Sequence, residues 1–286
     1  MRFGLFLLWL LSRLPWPLVR GIGKMIGLFF YLVSPHRRRI ARINLRLCFP
    51  EVSEKQRRRL LREHFMATGR SLIERGILWW SSEAAVRRLV RLEDLEHLQA
   101  HIGRPIIVLA PHFVGLDMGG LRLTLEVEVA SVYGPQRNQF MDSFIKRARN
   151  RFGRTRLISR KDGPRPIITA LRDNLPLYYL PDQDFGRRNA VFAPFFGHLA
   201  STVTALPRIA QMAGAIVIPC VTYQTPKGYV ARFYPAWENY PSDDVDADTR
   251  RMNAFIETCV REAPAQYYWL HRRFKTRPEG EASFYR

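Results

Sequence analysis

The stretch PIIVLAPHFVGLD, residues 105–117, sets the fold class of this chain. Residues 105–110 are an unbroken apolar run, which is typical of a β-strand buried on both faces of a sheet. His112 follows at once, and the pattern of residues 116–125 predicts a helix. A buried strand that leads through a short turn into a helix is the first half of a β-α-β unit, so we predict an α/β protein.

The alternation of strands and helices continues outward from this stretch. Turn-forming residues separate the predicted elements, and Pro264 breaks or kinks the last helix. The predicted strands are residues 130–133, 156–159, 177–180, 215–223 and 229–234, and the predicted helices are residues 53–80, 138–152, 165–172, 202–213 and 246–274. This order predicts a sheet with helices on both sides.

The composition is that of a folded protein with an unusual charge. Of 286 residues, 47% are apolar and 24% are charged, which excludes an intrinsically disordered chain. The net charge of +20 predicts an anionic partner: nucleic acid, an acidic membrane surface, a phosphorylated lipid or an acidic protein.

Cys48, Cys220 and Cys259 are far apart in sequence and form neither a disulfide framework nor a zinc-binding pattern.

The N-terminus contains two apolar runs, residues 3–11 and 22–33, followed by a cationic cluster at residues 36–39. Together the runs are long enough to cross a bilayer, but Pro15, Pro17 and three cations interrupt them. We predict a membrane anchor, spanning or interfacial, with a buried core helix and a cleaved signal peptide as the alternatives. If the anchor spans the membrane, the arginines after it place the rest of the chain on the cytoplasmic side.

A candidate general base follows the first strand. Open α/β sheets carry their sites at the carboxyl ends of strands, where His112 is expected to lie. Asp117, five residues later in the first turn of the next helix, can reach His112 and orient its ring, which leaves the other ring nitrogen as a base. Because no G-x-S-x-G motif exists and no cysteine is near, the base would activate a substrate hydroxyl. A structural histidine and a helix-start aspartate remain the alternative.

Polar residues follow three further predicted strands. Arg137 and Arg160 follow two of them, and guanidinium groups bind phosphate or a developing oxyanion, although each arginine could equally be a solvated surface charge. Asp182 and Asp184 follow a third, where they could orient an arginine, bind substrate hydroxyls or contribute to a metal site. A metal would need more ligands than the sequence offers, and glycoside hydrolysis by the two carboxylates would leave His112 without a role.

The segment VFAPFFG, residues 191–197, is too apolar and aromatic for an ordinary surface loop. Its three phenylalanines, Phe192, Phe195 and Phe196, could line a groove for an acyl chain or could belong to the core. An acyl-chain groove and a hydrophobic core have the same apolar, aromatic composition, so the sequence leaves both roles open.

Taken together, these segments resemble the late acyltransferases of lipid A biosynthesis, the lauroyl/myristoyl transferase family within the His-x4-Asp/Glu lysophospholipid acyltransferase superfamily. The matching segments, in family order after the apolar N-terminus, are PHFVGLD (111–117), YGPQRNQFMD (133–142), PDQDFG (181–186), FAPFFGHLAST (192–202) and YYWLHRRFKTRPEGE (267–281). The last two are the most specific. Many family members carry Glu where this chain has Asp117, and the superfamily accepts both.

The resemblance implies a single mixed, mostly parallel sheet flanked by helices, as in glycerolipid acyltransferases. It implies a membrane anchor at residues 1–35 and an acyltransferase domain at residues 36–286. The implied reaction transfers a lauroyl-like acyl chain from acyl carrier protein to the hydroxyl of a hydroxyacyl chain on a Kdo2-lipid IVA-type precursor, in lipopolysaccharide biosynthesis. His112 would deprotonate that hydroxyl directly, without an acyl-enzyme, and Asp117 would orient His112.

The resemblance also implies substrate contacts and partners. Arg137 and Arg160 match positions where the family holds substrate phosphate or the reacting centre, and Asp182 and Asp184 would bind substrate or fix the site through an arginine or a sugar hydroxyl. No metal, cofactor or nucleotide is implied. The expected partners are acyl carrier protein, an anionic glycolipid acceptor and the cytoplasmic face of a Gram-negative inner membrane, and no nucleic acid.

Two alternatives remain at this point. An acyltransferase of the same superfamily could acylate another lysophospholipid or glycolipid from acyl-CoA or acyl carrier protein, because the quoted residues do not determine the acceptor. A non-enzymatic basic protein that binds membranes or nucleic acid would explain the charge, but not the polar residues at successive strand ends. No recognised nucleic-acid-binding module occurs in the sequence.

Overall fold

Nine strands carry the architecture of residues 2–285, the part of the chain that the computed structural model describes. They are β1 (Val90–Glu93), β2 (Ile106–Leu109), β3 (Val129–Tyr133), β4 (Thr155–Ser159), β5 (Leu177–Tyr179), β6 (Ala190–Phe195), β7 (His198–Val203), β8 (Ile216–Thr225) and β9 (Gly228–Phe233). Seven of them form one sheet in the order β1-β9-β8-β2-β5-β3-β4, and β6 pairs with β7 in a separate hairpin. In the seven-stranded sheet β8 and β9 are antiparallel and the other pairs are parallel. The structure therefore confirms a mixed, mostly parallel sheet.

Helices flank this sheet, as the sequence predicts. They are α1 (Arg2–Leu11), α2 (Trp16–Val33), α3 (Pro35–Cys48), α4 (Glu54–Trp80), α5 (Glu83–Leu89), α6 (Glu96–Gln99), α7 (Leu116–Leu123), α8 (Gln139–Arg149), α9 (Arg165–Arg172), α10 (Ala205–Ala213) and α11 (Val245–Glu262). The longest, α4, begins with a capping box: the Ser53 hydroxyl accepts the Gln56 backbone N–H, and the Gln56 side chain accepts the Ser53 backbone N–H.

Strand β2 lies inside the sheet, between β8 and β5, and its four side chains are fully buried. Ile107 and Leu109 pack on one face with residues of α9, α10 and α11. Ile106 and Val108 pack on the other face with residues of α6 and α7. Burial on both faces explains the continuous apolar run in the sequence, and the first polar side chain after it is at the edge of the sheet.

Three parts of the chain differ from the predicted elements. Strand β1, only four residues long, was not predicted. Residues 190–203 form the β6–β7 hairpin, so α10 begins at Ala205 and not at residue 202. Helix α11 ends at Glu262, because Pro264 lacks the N–H that would continue it. Residues 263–285 then form a C-terminal segment without regular helix.

Helix α2 crosses α4 at glycines. A Cβ atom at Gly27 would lie 2.2 Å from the carbonyl oxygen of Phe65, and one at Gly69 would lie 2.4 Å from the carbonyl oxygen of Gly23. Glycines four residues apart on α2 therefore let the two backbones touch, which no larger residue permits. The N-terminal helices are in this way packed directly on α4.

A buried polar cluster also holds α2 against the sheet. The carboxylate of Glu74 accepts hydrogen bonds from Trp16 Nε1 (2.8 Å), from Arg70 Nε (3.0 Å) and from the hydroxyl of Tyr229 on β9. Arg70 in turn donates to the carbonyl of Gly228 at 2.9 Å. Burial raises the pKa of Glu74, against the effect of these donors. The cluster joins α2, α4 and β9 into one packed unit.

The opposite face of α1 and α2 is apolar and exposed. Within residues 2–285, α2 is the one helix long and apolar enough to cross a membrane, and 17% of it is buried. No residue of α1 is buried. The exposed large apolar side chains of these helices are Phe3, Phe6, Leu7, Leu10, Leu18, Met25, Phe29, Phe30, Leu32 and Val33. A soluble monomer rarely exposes such a surface, so α2 is a candidate membrane anchor and the alternative of a buried core helix does not fit.

Replacing Gly27 by alanine is expected to lower the thermal unfolding midpoint, because the added Cβ cannot fit against the α4 backbone unless α2 moves. Overpacking of this kind destabilises by about 1–3 kcal/mol. Thermal unfolding of the detergent-purified chain measures the change. Gly21→Ala on the same helix is the matched control, since a Cβ there meets nothing within 4 Å. Equal losses in the two variants would contradict the tight crossing.

Candidate active site

His112 and Asp182 meet at one edge of the sheet. They follow the adjacent parallel strands β2 and β5, in which Leu109 pairs with Tyr179. The His112 Nδ1 atom lies 2.6 Å from Asp182 Oδ1, and the His112 backbone N–H donates to Asp182 Oδ2 at 2.9 Å. The Asp182 side chain is 1% exposed, whereas the His112 side chain is 19% exposed. The structure thus places a buried carboxylate behind an accessible imidazole.

The environment keeps Asp182 ionised. Burial alone would raise its pKa, but the His112 imidazole, the two hydrogen bonds and the buried Arg273 together hold the pKa below its ordinary value. Because a carboxylate only accepts hydrogen bonds, Nδ1 of His112 carries a proton, and in the neutral imidazole Nε2 is then the nitrogen with the lone pair. The pair therefore has the orientation and the tautomer that general-base chemistry at Nε2 requires.

The C-terminal segment, residues 263–285, supports this pair from behind. The backbone N–H of Tyr268 donates to the carbonyl of His112 at 2.9 Å. Tyr267 is 3% exposed beside Asp182, and burial raises the pKa of its hydroxyl well above the ordinary value. The most distinctive segment of the sequence thus fixes the turn that carries the candidate base.

Asp117 has other partners than predicted. Its carboxylate lies 2.7 Å from Arg75 Nη2 and 3.5 Å from Arg149 Nη2. Burial raises the pKa of Asp117, but the two guanidinium groups and the nearby His112 imidazole together outweigh burial and hold the pKa below its ordinary value. Among the contacts of residues 2–285 there is no hydrogen bond between Asp117 and His112, because α7 directs the carboxylate toward α4 and α8. In the structure His112 therefore contacts Asp182, and Asp117 contacts two arginines nearby; the catalytic role predicted for Asp117 stays a prediction.

These groups open into one cleft of about 930 Å³. Its floor is one face of β3 and β4, where Val129 pairs with Thr155, and α4, α7 and α8 form its walls. The apolar side chains that line it include Leu72, Leu78, Trp79, Leu116, Leu121, Val129, Val132, Met141, Ile145, Ala148 and Leu157. A largely apolar cleft with a few polar groups at one end is typical of a ligand site.

One of the two predicted substrate-binding arginines lies at the cleft. Arg160 follows β4 and lines the cleft wall, with its guanidinium next to Gly134. Arg137 is exposed in the loop between β3 and α8 and does not line the cleft. Substrate binding by either arginine stays a prediction.

The two aspartates after β5 serve the protein itself. Asp184 is buried, and its carboxylate accepts the Thr276 N–H (2.7 Å), the Thr276 hydroxyl (2.8 Å) and the Gly186 N–H (2.9 Å). Asp182 is occupied by His112. In the structure Asp182 thus contacts His112, and Asp184 fastens the C-terminal segment to the loop after β5; substrate binding by these carboxylates stays a prediction.

Of the two roles that the sequence leaves open for Phe192, Phe195 and Phe196, acyl groove or core, the structure favours the core. Phe195 is fully buried in the core, with the Arg273 guanidinium 5.0 Å from its ring centroid. Phe196 packs on Phe49, and none of the three lines the cleft. The aromatic content of this segment results from packing of the β6–β7 hairpin.

Three residues at the cleft were missed by the sequence analysis: Arg75, Arg149 and Tyr268. Arg149 follows Met141 and Ile145 at intervals of four residues on α8, so a cation on the apolar face of a helix was the available signal. No such signal marks Arg75 or Tyr268, whose roles depend on segments distant in sequence.

Cysteine chemistry is not available at the cleft. All three cysteines are free and buried, and burial raises the pKa of each thiol. Within residues 2–285, no group of three or more His, Cys, Asp or Glu side chains is placed to hold a metal ion.

An α/β fold with an accessible imidazole, a buried carboxylate that accepts its N–H and an apolar cleft fits an enzyme that transfers an acyl group. The model of the family of bacterial lipid A biosynthesis acyltransferases matches residues 1–276. The chain belongs to this family and is an acyltransferase.

Relatives with an assigned function are similar in sequence to this chain over nearly its full length. The lipid A biosynthesis lauroyltransferase of Escherichia coli (strain K12) is 35% identical over 99% of this chain and 93% of the relative. The palmitoleoyltransferase of the same strain is 36% identical over the same shares. Its lipid A biosynthesis myristoyltransferase is 29% identical over 94% of this chain and 84% of the relative. The match thus includes both the N-terminal helices and the cleft.

Proposed function

We propose that this chain transfers a lauroyl-like acyl chain from acyl carrier protein to the hydroxyl of a hydroxyacyl chain on a Kdo2-lipid IVA-type precursor of lipid A. The observation that carries the proposal is the pair His112–Asp182 at an apolar cleft: Nδ1 is held by the carboxylate, and Nε2 keeps a lone pair for an acceptor hydroxyl. The names of the relatives support the acceptor class, since all three act in lipid A biosynthesis.

The proposed reaction proceeds without an acyl-enzyme. Nε2 of His112 takes the proton of the acceptor hydroxyl while the hydroxyl oxygen attacks the thioester carbonyl carbon. The carbon–sulfur bond then breaks, the new ester stays on the acceptor, and the imidazolium returns its proton to the departing thiolate. Asp182 stabilises the imidazolium between these steps. Arg160 is the proposed cation near the developing oxyanion.

The cleft is the proposed site of the donor acyl chain. Strand β3 has five residues, so the floor runs about 13 Å along the strand at roughly 3.3 Å per residue. Val129 and Thr155 are the first residues of β3 and β4, and Ala148 is near the end of α8. All three line the cleft. Because β2, β5, β3 and β4 run parallel, Val129 and Thr155 lie toward the edge of the sheet opposite to the one that carries His112.

Ala148→Leu is expected to shift donor preference toward shorter acyl chains, because the larger side chain fills the distant end of the cleft. Ile145→Ala should shift it toward longer chains. Competition among lauroyl, myristoyl and palmitoleoyl thioesters, read by mass spectrometry of the product, measures both shifts. Arg147→Leu on the exposed face of α8 is the control. An unchanged product ratio in the first two variants would place the acyl chain elsewhere.

Membrane contact is proposed for the exposed face of α1 and α2. Helix α3 follows directly and exposes four arginines, Arg37, Arg39, Arg42 and Arg46. Arginines near an anionic leaflet contribute about 1 kcal/mol each. An apolar face next to this basic helix fits the cytoplasmic face of the inner membrane, where the acceptor would be reached from the bilayer and the carrier protein from solution.

An assay of the purified chain tests the proposal. Acyl carrier protein thioesters are combined with a Kdo2-lipid IVA-type acceptor, and mass spectrometry is expected to detect an acceptor with one added acyl group. Transfer to lysophospholipids but not to this acceptor, or transfer from acyl-CoA alone, would favour the wider superfamily activity. Unchanged acylation of lipid A in cells that lack the gene would contradict the proposal.

A further inference from the structure

Two large apolar side chains of the cleft lining are exposed to solvent. Leu72 on α4 is 40% exposed, and Phe185 in the loop after β5 is 56% exposed. Within residues 2–285, no other large apolar side chain is both exposed and part of this lining. We call these two residues the apolar lip of the cleft. Most other exposed side chains of this kind are on α1 and α2, so the lip is a separate feature of the surface.

The lip lies beside the candidate base. The residue before Leu72, Ser71, donates its hydroxyl to the carbonyl of Val114, in the turn that carries the base. Phe185 follows Asp182, the carboxylate partner of the base, by three residues, so the Cα atoms of these two residues are at most about 11 Å apart. The lip is therefore at the end of the cleft where the reaction is proposed.

Hydrogen bonds fix the backbone on both sides of Phe185. Asp184 Oδ1 accepts the Gly186 N–H at 2.9 Å, and the Ser201 hydroxyl donates to the Gly186 carbonyl at 2.6 Å. The Asp184 N–H donates to Nε2 of His271 at 3.0 Å. Gly186 has a φ of +100°, a conformation that favours glycine. The turn thus presents an exposed ring in a fixed place, which reduces the entropy lost when a ligand covers it.

The apolar character of the lip indicates which part of a substrate crosses it. Apolar surface in water favours contact with hydrocarbon. In the proposed reaction the donor acyl chain fills the cleft as far as the thioester, and beyond the sulfur the donor continues into the carrier protein. The acceptor hydroxyl, in contrast, is on a hydrocarbon chain, with carbon on both sides of the reacting oxygen. Hydrocarbon that lies beside the base and outside the cleft therefore belongs to the acceptor.

We propose that Leu72 and Phe185 hold the hydroxyacyl chain of the acceptor at the mouth of the cleft, so that its hydroxyl meets Nε2 of His112. This assignment rests on the proposed function, because the hydroxyacyl chain is the acceptor group named there. It makes the lip a determinant of acceptor specificity. A hydroxyl with hydrocarbon on both sides gains the contact, whereas a hydroxyl on a sugar or glycerol carbon does not.

Transfer kinetics in detergent test the lip. Phe185→Asn is expected to raise KM for the acceptor by about tenfold, the effect of losing the burial of an exposed phenyl ring, and to change kcat and the donor KM much less. Phe185→Leu remains apolar and should stay within about threefold of the unchanged chain. Met212→Asn on α10 is the matched control, since Met212 is 55% exposed and does not line the cleft.

Three results would overturn the proposal. An increase in the donor KM alone would assign the lip to the carrier side of the thioester. Equal losses in Phe185→Leu and Phe185→Asn would show that the contact needs the face of an aromatic ring, as a sugar does, and not hydrocarbon. Weaker binding of Phe185→Asn to anionic vesicles, with an unchanged acceptor KM in detergent, would make Phe185 a bilayer contact.

Photo-crosslinking gives a readout that does not require transfer. The probe is a Kdo2-lipid IVA-type precursor with a diazirine in its hydroxyacyl chain beyond the hydroxyl, bound to the full chain without a donor. Mass spectrometry of the digested protein is expected to find the label on Phe185 or Leu72. Label confined to Val129 and Thr155 would place the acceptor chain inside the cleft and overturn the lip.

The lip and the proposed function fail separately. Labelling of the lip in a chain that transfers no acyl group to any lipid A precursor would remove the function and keep the lip as a contact for a hydroxyacyl chain. Transfer to the precursor with a KM that is insensitive to Phe185→Asn would keep the function and remove the lip. The thermal unfolding midpoint of each variant should equal that of the unchanged chain, because these side chains are exposed.

Discussion

His112→Ala is expected to lower the rate of acyl transfer by about 10²–10⁴-fold, the usual effect of losing a general base. The acceptor hydroxyl has a pKa far above neutrality, so attack on the thioester depends on proton removal during the step. In the structure Nε2 of His112 is the accessible lone pair that a buried carboxylate orients toward the cleft. No cysteine is available to replace it, since all three thiols are buried.

The measurement is kcat in the purified system, together with the thermal unfolding midpoint of the variant. His112→Ala should keep membrane association and a near-normal midpoint, because the His112 side chain is partly exposed and its backbone contacts remain. His101→Ala, at a histidine in the turn after α6, is the matched control and should keep full activity. A folded His112→Ala variant with full activity would refute the assignment of the base.

The fold was predictable because its central strand is short and wholly apolar. Residues 106–109 are buried on both faces, so hydrophobicity alone identified β2, and the helix after it followed from its period. The β6–β7 hairpin was not predictable in the same way. Phe195 and its neighbours pack against a C-terminal segment about 80 residues later, and local sequence does not report such contacts.

For the candidate site, the sequence predicted the position of His112 at a strand end but not the carboxylate that contacts it. His112 could be placed at a strand end because β2 precedes it directly. Its partner could not, because Asp117 is near in sequence whereas Asp182 is near only through the sheet order that puts β5 beside β2. The same limitation applies to Arg75, which reaches Asp117 from α4. Spacing along the chain therefore favoured Asp117, whereas the structure places Asp182 against His112.

The arginines that contribute to the net charge of +20 have different roles in the structure. Arg70 and Arg273 are buried and donate to carbonyl groups inside the fold, so part of the arginine content is structural. Arg75 and Arg149 line the cleft, and the arginines of α3 are exposed beside the apolar face. Composition alone could not separate these roles, whereas burial does.

Asp182→Asn is expected to lower kcat by about 10⁴-fold, as the loss of an orienting carboxylate behind a catalytic histidine does. The carboxylate accepts two N–H groups of the same residue, the backbone N–H and Nδ1–H of His112. An amide can accept only one of them. It must either place its NH2 group against a buried N–H or turn toward Nδ1, which moves the ring proton to Nε2 and removes the base. In both arrangements the imidazolium also loses its counter-charge.

Asp184→Asn is the matched control for this variant. Asp184 is equally buried and only two residues away, but its carboxylate binds Thr276 and Gly186 and not His112. We expect both variants to lose stability, by about 1–3 kcal/mol each, because each leaves a buried donor without its acceptor. Only Asp182→Asn should also abolish most of kcat. If Asp182→Asn retained activity while Asp117→Asn lost it, the pairing that spacing in the sequence favours would describe the working enzyme, and the contact seen in the structure would not.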